Sequence, residues 1–579
     1  MEKVEDRIGR LRKQARRYLD SVKDPPPLKG PDINTIDTNI AVTDRISMLP
    51  DSVLVHILSL LPTTEDVLCM RLMSRTWHRI WSSFPVWEYS ESLFGLSASN
   101  YGVDPPKVER MRELFMGFVH RSLVRQLQPG KFQADKFRLH MTFSHTFQPT
   151  SQVDEWMRLV VQIGVTELDL DIDLDLDHRY AHLVEHYELP RIVFSAKKLT
   201  VLKLRGSGLL LYPDLDVKCW PCLQELCLRE AYIDRGMILK LKVCCPLIKN
   251  FALVDCLGLD RVELAGLMKL RKVQVIDKSR TIMEIEIDAL SLETFCYGYG
   301  LESCQLSLTA CENLKVLELE NCFIGQNVLA DLLSAFPALK KLFFHDNSVH
   351  SVTISGQQLE ALQLGGFNLT EATINAPSLQ SFKYASLKTP SWFSVDKSSL
   401  QKVTLTLFSS QSYCFAELQK YLGNFKQIKL LTLHVDSDTV ACIPRGTDDI
   451  SVLCDIQCVR LKISRQSFGG GNHVKRQRRY KAFLDGLFCT CRPQSLLLVS
   501  GWGSNNEFIE FLYDNLKHRV KREECCMSSD IRCWLHGLEG IHIEYSSGNA
   551  SKGPLSYEDL LDLLPTIPGK YNVHFLFKW

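Results

Sequence analysis

Three short stretches of the chain carry residue types whose spacing could do chemistry. Asp169 to Asp177 reads DLDIDLDLD, a carboxylate at every odd position and an aliphatic residue at every even one. Alternating carboxylates can hold a hard cation, but an EF-hand loop needs glycine after its third carboxylate and an acid at its twelfth position. Leu174, Leu176 and His178 stand in the glycine slots, which argues against calcium. Period-two alternation predicts a strand instead. It puts Leu168, Leu170, Ile172, Leu174 and Leu176 on a buried face and Asp169, Asp171, Asp173 and Asp175 on the other as an acidic margin.

The second stretch is His182-Leu-Val-Glu185-His186, the H-x-x-E-H order in which inverted zinc peptidases present two imidazoles one helical turn apart. Pro190 follows four residues later and no downstream glutamate motif supplies a third ligand, so no metal is expected. The third is Cys219-Trp-Pro-Cys222. A redox pair needs its first thiol at a helix N-terminus, whereas Cys222 runs straight into the strand-like Leu223 to Leu228. There is no G-x-S-x-G, P-loop or Rossmann fingerprint. The expectation is a chain without catalytic residues, cofactor or metal.

The elements around these stretches explain them better. With 579 residues the chain exceeds several-fold the roughly 100 to 200 of one domain, so it holds either two or three domains or a long repeat array. It is 45% hydrophobic and 23% charged with a formal net charge of +1, a balance that advertises neither a nucleic-acid nor a membrane partner. No window approaches the roughly 18 consecutive apolar residues of a membrane span. The opening MEKVEDRIGRLRKQARRYLD is too charged for a secretory signal, so cytoplasm and/or nucleus is expected. The 20 cysteines then read as small apolar core residues.

Residues 1–42 read as a basic leader helix, Val4 to Val22 on one side, followed by a linker. Residues 44–90 are compact and helical. Pro50 and Asp51 suit a first turn, Leu54, Ile57, Leu58 and Leu61 recur at helical spacing until Pro62, and Thr63 with Asp66 restarts a helix. Trp77, Ile80, Trp81 and Phe84 repeat the spacing. Three short helices carry more large apolar groups than so small a unit can hide, which predicts a covering partner.

From about Val165 an apolar-x-x-apolar-x-apolar phrase recurs, the strand signature of leucine-rich repeats. It appears as Leu199 to Leu204, Leu223 to Leu228, Leu292 to Tyr297, Leu314 to Leu319, Leu339 to Phe344, Leu359 to Leu364, Leu379 to Tyr384, Leu400 to Leu405 and Ile428 to Leu433. Single repeats cannot bury their apolar faces, so the strands must stack into a curved parallel sheet. The residues between the apolar positions then point to the concave face. Of these, Arg205, Arg229, Glu318, Glu320, Phe343 and His345 are the candidate binding residues, because mixed charge with an aromatic suits a protein partner. Phe468-Gly-Gly-Gly471 followed by HVKRQRRYK (His473 to Lys481) reads as a flexible basic loop.

The helical segment, through DRISMLPDSVLVHILSLLPT, resembles the F-box of plant F-box proteins, with Met73-Ser74-Arg75-Thr76-Trp77 departing slightly from the family's order. The phrases YELPRIVFSAKKLTVLKLRGSGL and CCPLIKNFALVDCLGLDRVEL resemble plant F-box/leucine-rich-repeat proteins, and ECCMSSDIRCWLHGLEGIHIEY resembles their FBD-like extension. The resemblance implies an α/β chain: a three-helix F-box at 44–90, a connector at 91–164, an irregular repeat solenoid at 165–435 and an FBD-like cap at 436–579. It further implies that Leu49, Pro50, Ile57, Leu58, Leu61, Val67, Leu68 and Trp77 build or support a site for a Skp-type adaptor, linking the chain to a cullin-RING ubiquitin ligase while the repeats hold a target protein. A repeat scaffold outside any ligase, or a receptor for a small signalling molecule, are the other readings.

Overall fold

The computed structural model of the protein describes residues 49–579 apart from internal segments. The longer of these are 60–73, 97–104, 127–134, 175–185, 212–218, 409–426, 437–454, 464–472, 518–533 and 555–570. The expected leader helix and the Thr63 restart lie outside the described residues. The chain divides into two compact units, 1–291 with 305–309, and 292–304 with 310–579.

The first unit opens with α1 (Asp51–Ser59) and α2 (Arg75–Ser82). Pro50 stands before α1 and its carbonyl accepts from Val53 N and Leu54 N; Ser74 Oγ accepts from Trp77 N at 3.3 Å and so caps α2. Leu54, Leu58, Trp77 and Ile80 form a buried cluster, flanked by Val55, Ile57 and Val86. A parallel sheet follows, in spatial order β1 (Val86–Ser90), β2 (Lys136–Phe143), β3 (Glu167–Leu174), β4 (Val201–Arg205), β5 (Glu225–Arg229), β6 (Asn250–Val254) and β7 (Lys272–Ile276). Helices α3 (Pro105–Gln126) and α4 (Thr150–Ile163) connect β1 to β2 and β2 to β3.

The DLDIDLDLD stretch is therefore a strand as far as Leu174, with Leu168, Leu170 and Ile172 buried as the alternation requires, and Asp175 to Asp177 lie outside the described residues. It is the third strand of its sheet in spatial order. Residues expected to be a connector supply β2, whose partner β1 is separated from it by a 22-residue helix. The repeat spacing that marks later strands is absent there.

The second unit carries β8 (Thr294–Gly298), β9 (Val316–Glu320), β10 (Lys341–His345), β11 (Ala361–Gly365), β12 (Ser381–Ser386), β13 (Lys402–Phe408), β14 (Gln427–Asp436), β15 (Asp455–Ile463) and β16 (Ser495–Val499), each parallel to the next. The parallel ladder thus runs past residue 435. It is closed by β17 (Gly540–Ser547), β18 (Ala550–Pro554) and β19 (Tyr571–Lys578), with β19 antiparallel to both β16 and β17. That pairing occupies the free edge of the last parallel strand.

HVKRQRRYK is not a loop but the first half of α5 (His473–Thr490). Its buried face is Tyr480, Phe483, Leu484, Leu487 and Phe488, at helical spacing, packed on Phe508 of α6 (Asn506–Lys517) and on Trp534. The basic residues occupy the solvent side, as on any amphipathic helix.

Six of the eight repeats from β4 to β11 turn through one left-handed residue just after the strand, at Gly206, Glu230, Asp255, Tyr299, Asn321 and Gly366; β7 and β10 do not. These turns extend the ladder within each unit, Glu230 N donating to Val254 O at 2.8 Å and Asn321 N to His345 O at 2.6 Å. At Gly206 a Cβ would stand 2.1 Å from Ile172 O, and at Gly366 2.1 Å from Asp346 O, so only glycine fits. Cysteine serves the same turns. The Cys256 thiol donates to Leu228 O and that of Cys322 to Tyr297 O, and burial pushes both thiols up to about 12.

Candidate functional site

Two surfaces carry the expected binding residues. On the first, Leu49 and Pro50 are exposed and Ile57 is half-buried, whereas Leu58 and Trp77 are each 1% exposed inside the α1–α2 core. Leu58 and Trp77 therefore hold the two helices together and can only support a surface. Leu61, Val67 and Leu68 lie outside the described residues. Val53, 40% exposed, is the residue that sequence reasoning missed. It stands four residues before Ile57, a spacing that places the two on one side of α1, and the exposed Leu49 lies just ahead of that helix.

The second surface is the open face of the sheet, opposite its apolar core. In the first unit, register sets Glu88, Arg138, Asp169, Lys203 and Cys227 in one row and Ser90, His140, Asp171, Arg205 and Arg229 in the next. This face neutralises itself. Asp169, 5% exposed, accepts from Arg205 Nη2 at 2.8 and 2.9 Å and has Arg138 Nε at 3.5 Å. Lys203 reaches Glu225 at 2.8 Å, Arg138 reaches Glu88 at 3.5 Å, and Lys136 pairs with Glu167. Burial opposes the charge on Arg205, yet the Asp169 carboxylate holds the guanidinium pKa above its ordinary value. Of the expected acidic margin, Asp169 and Asp171 thus face Arg205 and Asp173 faces His140, while Asp175 lies outside the described residues. Arg205 is engaged, and Arg229 beside it is exposed.

His140, Asp171 and Asp173 converge, their ligand-type atoms within 4.8 Å of one another. The Asp173 carboxylate, 3.9 Å from His140 Nε2, raises the imidazole pKa against the opposing effect of burial. Burial raises that of the Asp171 carboxyl. Ser90 Oγ lies 3.2 Å from His140 Nδ1 and Arg205 Nη1 3.9 Å from Asp171, so the protein already supplies partners to this trio. Of the H-x-x-E-H stretch only His186 falls among the described residues. Cys219 is buried, Cys222 half-buried and neither is joined in a disulfide, and no described helix starts at either.

In the second unit, register sets Glu318 beside Phe343 and Glu320 beside His345. Glu318 accepts from the Cys296 thiol at 3.1 Å and Glu320 from Tyr299 Oη at 3.1 Å. The row through Glu318 and Phe343 continues to Gln363, Lys383, Thr404, Thr432 and Arg460. The adjacent row ends at His434 and Lys462. Burial, followed by the positive charges of Lys462 and Lys383, lowers the His434 pKa.

Paired helices with an apolar exposed flank, followed by a parallel ladder of short repeat strands, define the class. The F-box domain family matches residues 46–89, and the At1g61320/AtMIF1 leucine-rich-repeat domain family matches residues 131–348. The chain carries an F-box domain and a leucine-rich-repeat domain, and its relatives are plant F-box/leucine-rich-repeat and FBD-associated F-box proteins. It is similar to the FBD-associated F-box protein At5g56370 of Arabidopsis thaliana, 33% identical over 284 residues, 48% of this chain and 54% of that protein. It is also similar to the F-box protein At3g59000 (29%; 48% of this chain, 51% of the relative) and the F-box/FBD/LRR-repeat protein At5g56420 (26%; 44% and 54%), both of Arabidopsis thaliana. The chain spans about half the length of the curated relatives it matches.

Proposed function

We propose that the protein is the substrate-recognition subunit of an SCF-type ubiquitin ligase, working in the cytoplasm or nucleus without a catalytic residue of its own. Its F-box docks a Skp-type adaptor, and its repeat sheet holds a target protein so that ubiquitin transfer occurs elsewhere in the complex. The contribution is proximity: holding a target lysine near the charged conjugating enzyme raises its effective concentration.

The observation that carries this reading is the exposure of Leu49 and Val53 beside a closed core of Leu54, Leu58, Trp77 and Ile80. Apolar side chains that the helices leave in water are the natural contact for a partner's apolar groove. Leu49 and Pro50, with Val53 and Ile57, would touch the adaptor, and Leu58 and Trp77 would keep their helices in place. The test is co-purification of the full chain with a Skp-type adaptor and a cullin, followed by ubiquitination of whatever protein the repeats retain. Retention of a target without adaptor or cullin would instead favour a scaffold outside any ligase.

A further inference from the structure

The two units treat charge on their open faces differently. On β2 to β5, Arg229 apart, every described cation has a carboxylate within 4.0 Å. On β12 to β15 the described inward side chains are Ser381, Lys383, Ala385, Lys402, Thr404, Thr406, Leu430, Thr432, His434, Cys458, Arg460 and Lys462, none of them a carboxylate; the inward position at the end of β14, Asp436, lies outside the described side chains. Lys383, Arg460 and Lys462 make no ion pair with any described residue. Arg460 Nε is buried without a hydrogen-bond partner, a donor that the chain desolvates and leaves unused.

We propose that this basic face on β12 to β15 binds an extended acidic segment of the target protein, its carboxylates pairing with Lys383, Arg460 and Lys462. The proposal rests on the substrate-receptor reading and gives the target its chemistry. Lys383 and Arg460 are three strands apart in one row, Thr404 and Thr432 lying between them. At about 4.8 Å per strand that is ~14 Å, close to four residues of extended chain at ~3.3 Å each. A peptide lying across the strands with acids at every second position would place one over Lys383 and another over Arg460. The half-buried Thr404 can donate its hydroxyl to a main-chain carbonyl of the peptide, whereas Thr432 is buried. At the far end of the same row Glu318, with Glu320 beside it, repels such a segment, which confines the acidic stretch to the basic strands and fixes its direction.

The test measures anisotropy of fluorescein-labelled peptides of about nine residues, alternating serine with glutamate or with lysine, on the full chain. A Lys383→Glu/Lys462→Glu double variant and an Arg460→Gln variant are compared with it, and thermal midpoints are recorded alongside. The glutamate peptide is expected to bind the natural chain, to weaken with added salt, and to lose at least about tenfold in affinity on either variant. The double variant should take up the lysine peptide instead. Unchanged glutamate-peptide affinity in both variants overturns the proposal. So does binding of inorganic polyphosphate or single-stranded DNA with no binding of the glutamate peptide. Glutamate-peptide binding seen only after Asp448 and Asp449 are neutralised would give the face to the chain's own acidic segment, and also overturns it. Adaptor capture is scored separately: its loss would sink the ligase reading and leave the peptide result standing, and the reverse holds equally.

Discussion

Asp169 and Arg205, on neighbouring strands, hold each other through two contacts of 2.8 and 2.9 Å, with the carboxylate side chain 7% exposed and the guanidinium 39%. The burden of desolvation therefore falls on the acid. Arg205→Ala strands a buried carboxylate with only Arg138 at 3.5 Å, whereas Asp169→Asn leaves half-exposed guanidiniums that water can reach. Arg205→Ala is expected to cost about 2–3 kcal/mol and Asp169→Asn about 1–2 kcal/mol. Urea unfolding of both variants checks this; an Asp169→Asn loss larger than that of Arg205→Ala would refute the assignment.

On the F-box, two substitutions separate folding from docking. Leu58, 1% exposed, packs with Leu54, Trp77 and Ile80. A charge there costs several kcal/mol, so Leu58→Asp should melt the helices and lose adaptor capture as a consequence. Val53→Asp changes a side chain 40% exposed. It should leave far-UV circular dichroism and the thermal midpoint within experimental error while weakening adaptor capture about tenfold or more. Full capture by Val53→Asp would move the docking surface elsewhere.

How much of this was legible in the sequence follows from where each signal resides. Alternation within a strand is local, so the burial of Leu202, Leu204, Leu226 and Leu228 could be read directly. Strand β2 escaped because α3 intervenes, and α5 because the glycines before His473 and its dense charge masked Tyr480, Phe483, Leu484 and Leu487 at helical spacing. The candidate binding residues were harder. Arg205 looks free in the sequence, since its partner Asp169 is 36 residues away and meets it only through strand register. Arg460 was hidden for a related reason, lying beyond the point where the repeat phrase loses its leucines. Val53 shows that even a motif that is easily recognised does not reveal which of its apolar residues face outward.

His140 should make stability depend on pH. Its folded pKa lies above the ordinary 6.5, the Asp173 carboxylate outweighing burial. A raised pKa means that the folded state binds the proton more tightly, so the contribution is complete below the unfolded value and disappears as pH rises through the folded one. The difference in thermal midpoint between the natural chain and His140→Gln should therefore be largest near pH 5.5–6 (approximate, set by the unfolded value) and shrink above it. A difference that grew toward alkaline pH would contradict the sign.

The left-handed turns supply the sharpest contrast. Gly206 has φ +107°, with Ile172 O where a Cβ would go, while Glu230, its equivalent one repeat later, has φ +56° and tolerates a side chain. Gly206→Ala must shift the backbone of either β3 or the turn, which is expected to cost about 3 kcal/mol or more. Glu230→Gly instead relieves left-handed strain while loosening the unfolded chain, two effects of about 1 kcal/mol that oppose each other, so its net change should be within about 0.5 kcal/mol of zero. Hydrogen exchange adds a positional readout. Gly206 N donates to Arg229 O at 3.1 Å and Glu230 N to Val254 O at 2.8 Å. Protection in Gly206→Ala should fall first at the ends of β3 to β5, and equal loss throughout the sheet would show that the turns are not the local fastenings that their geometry makes them.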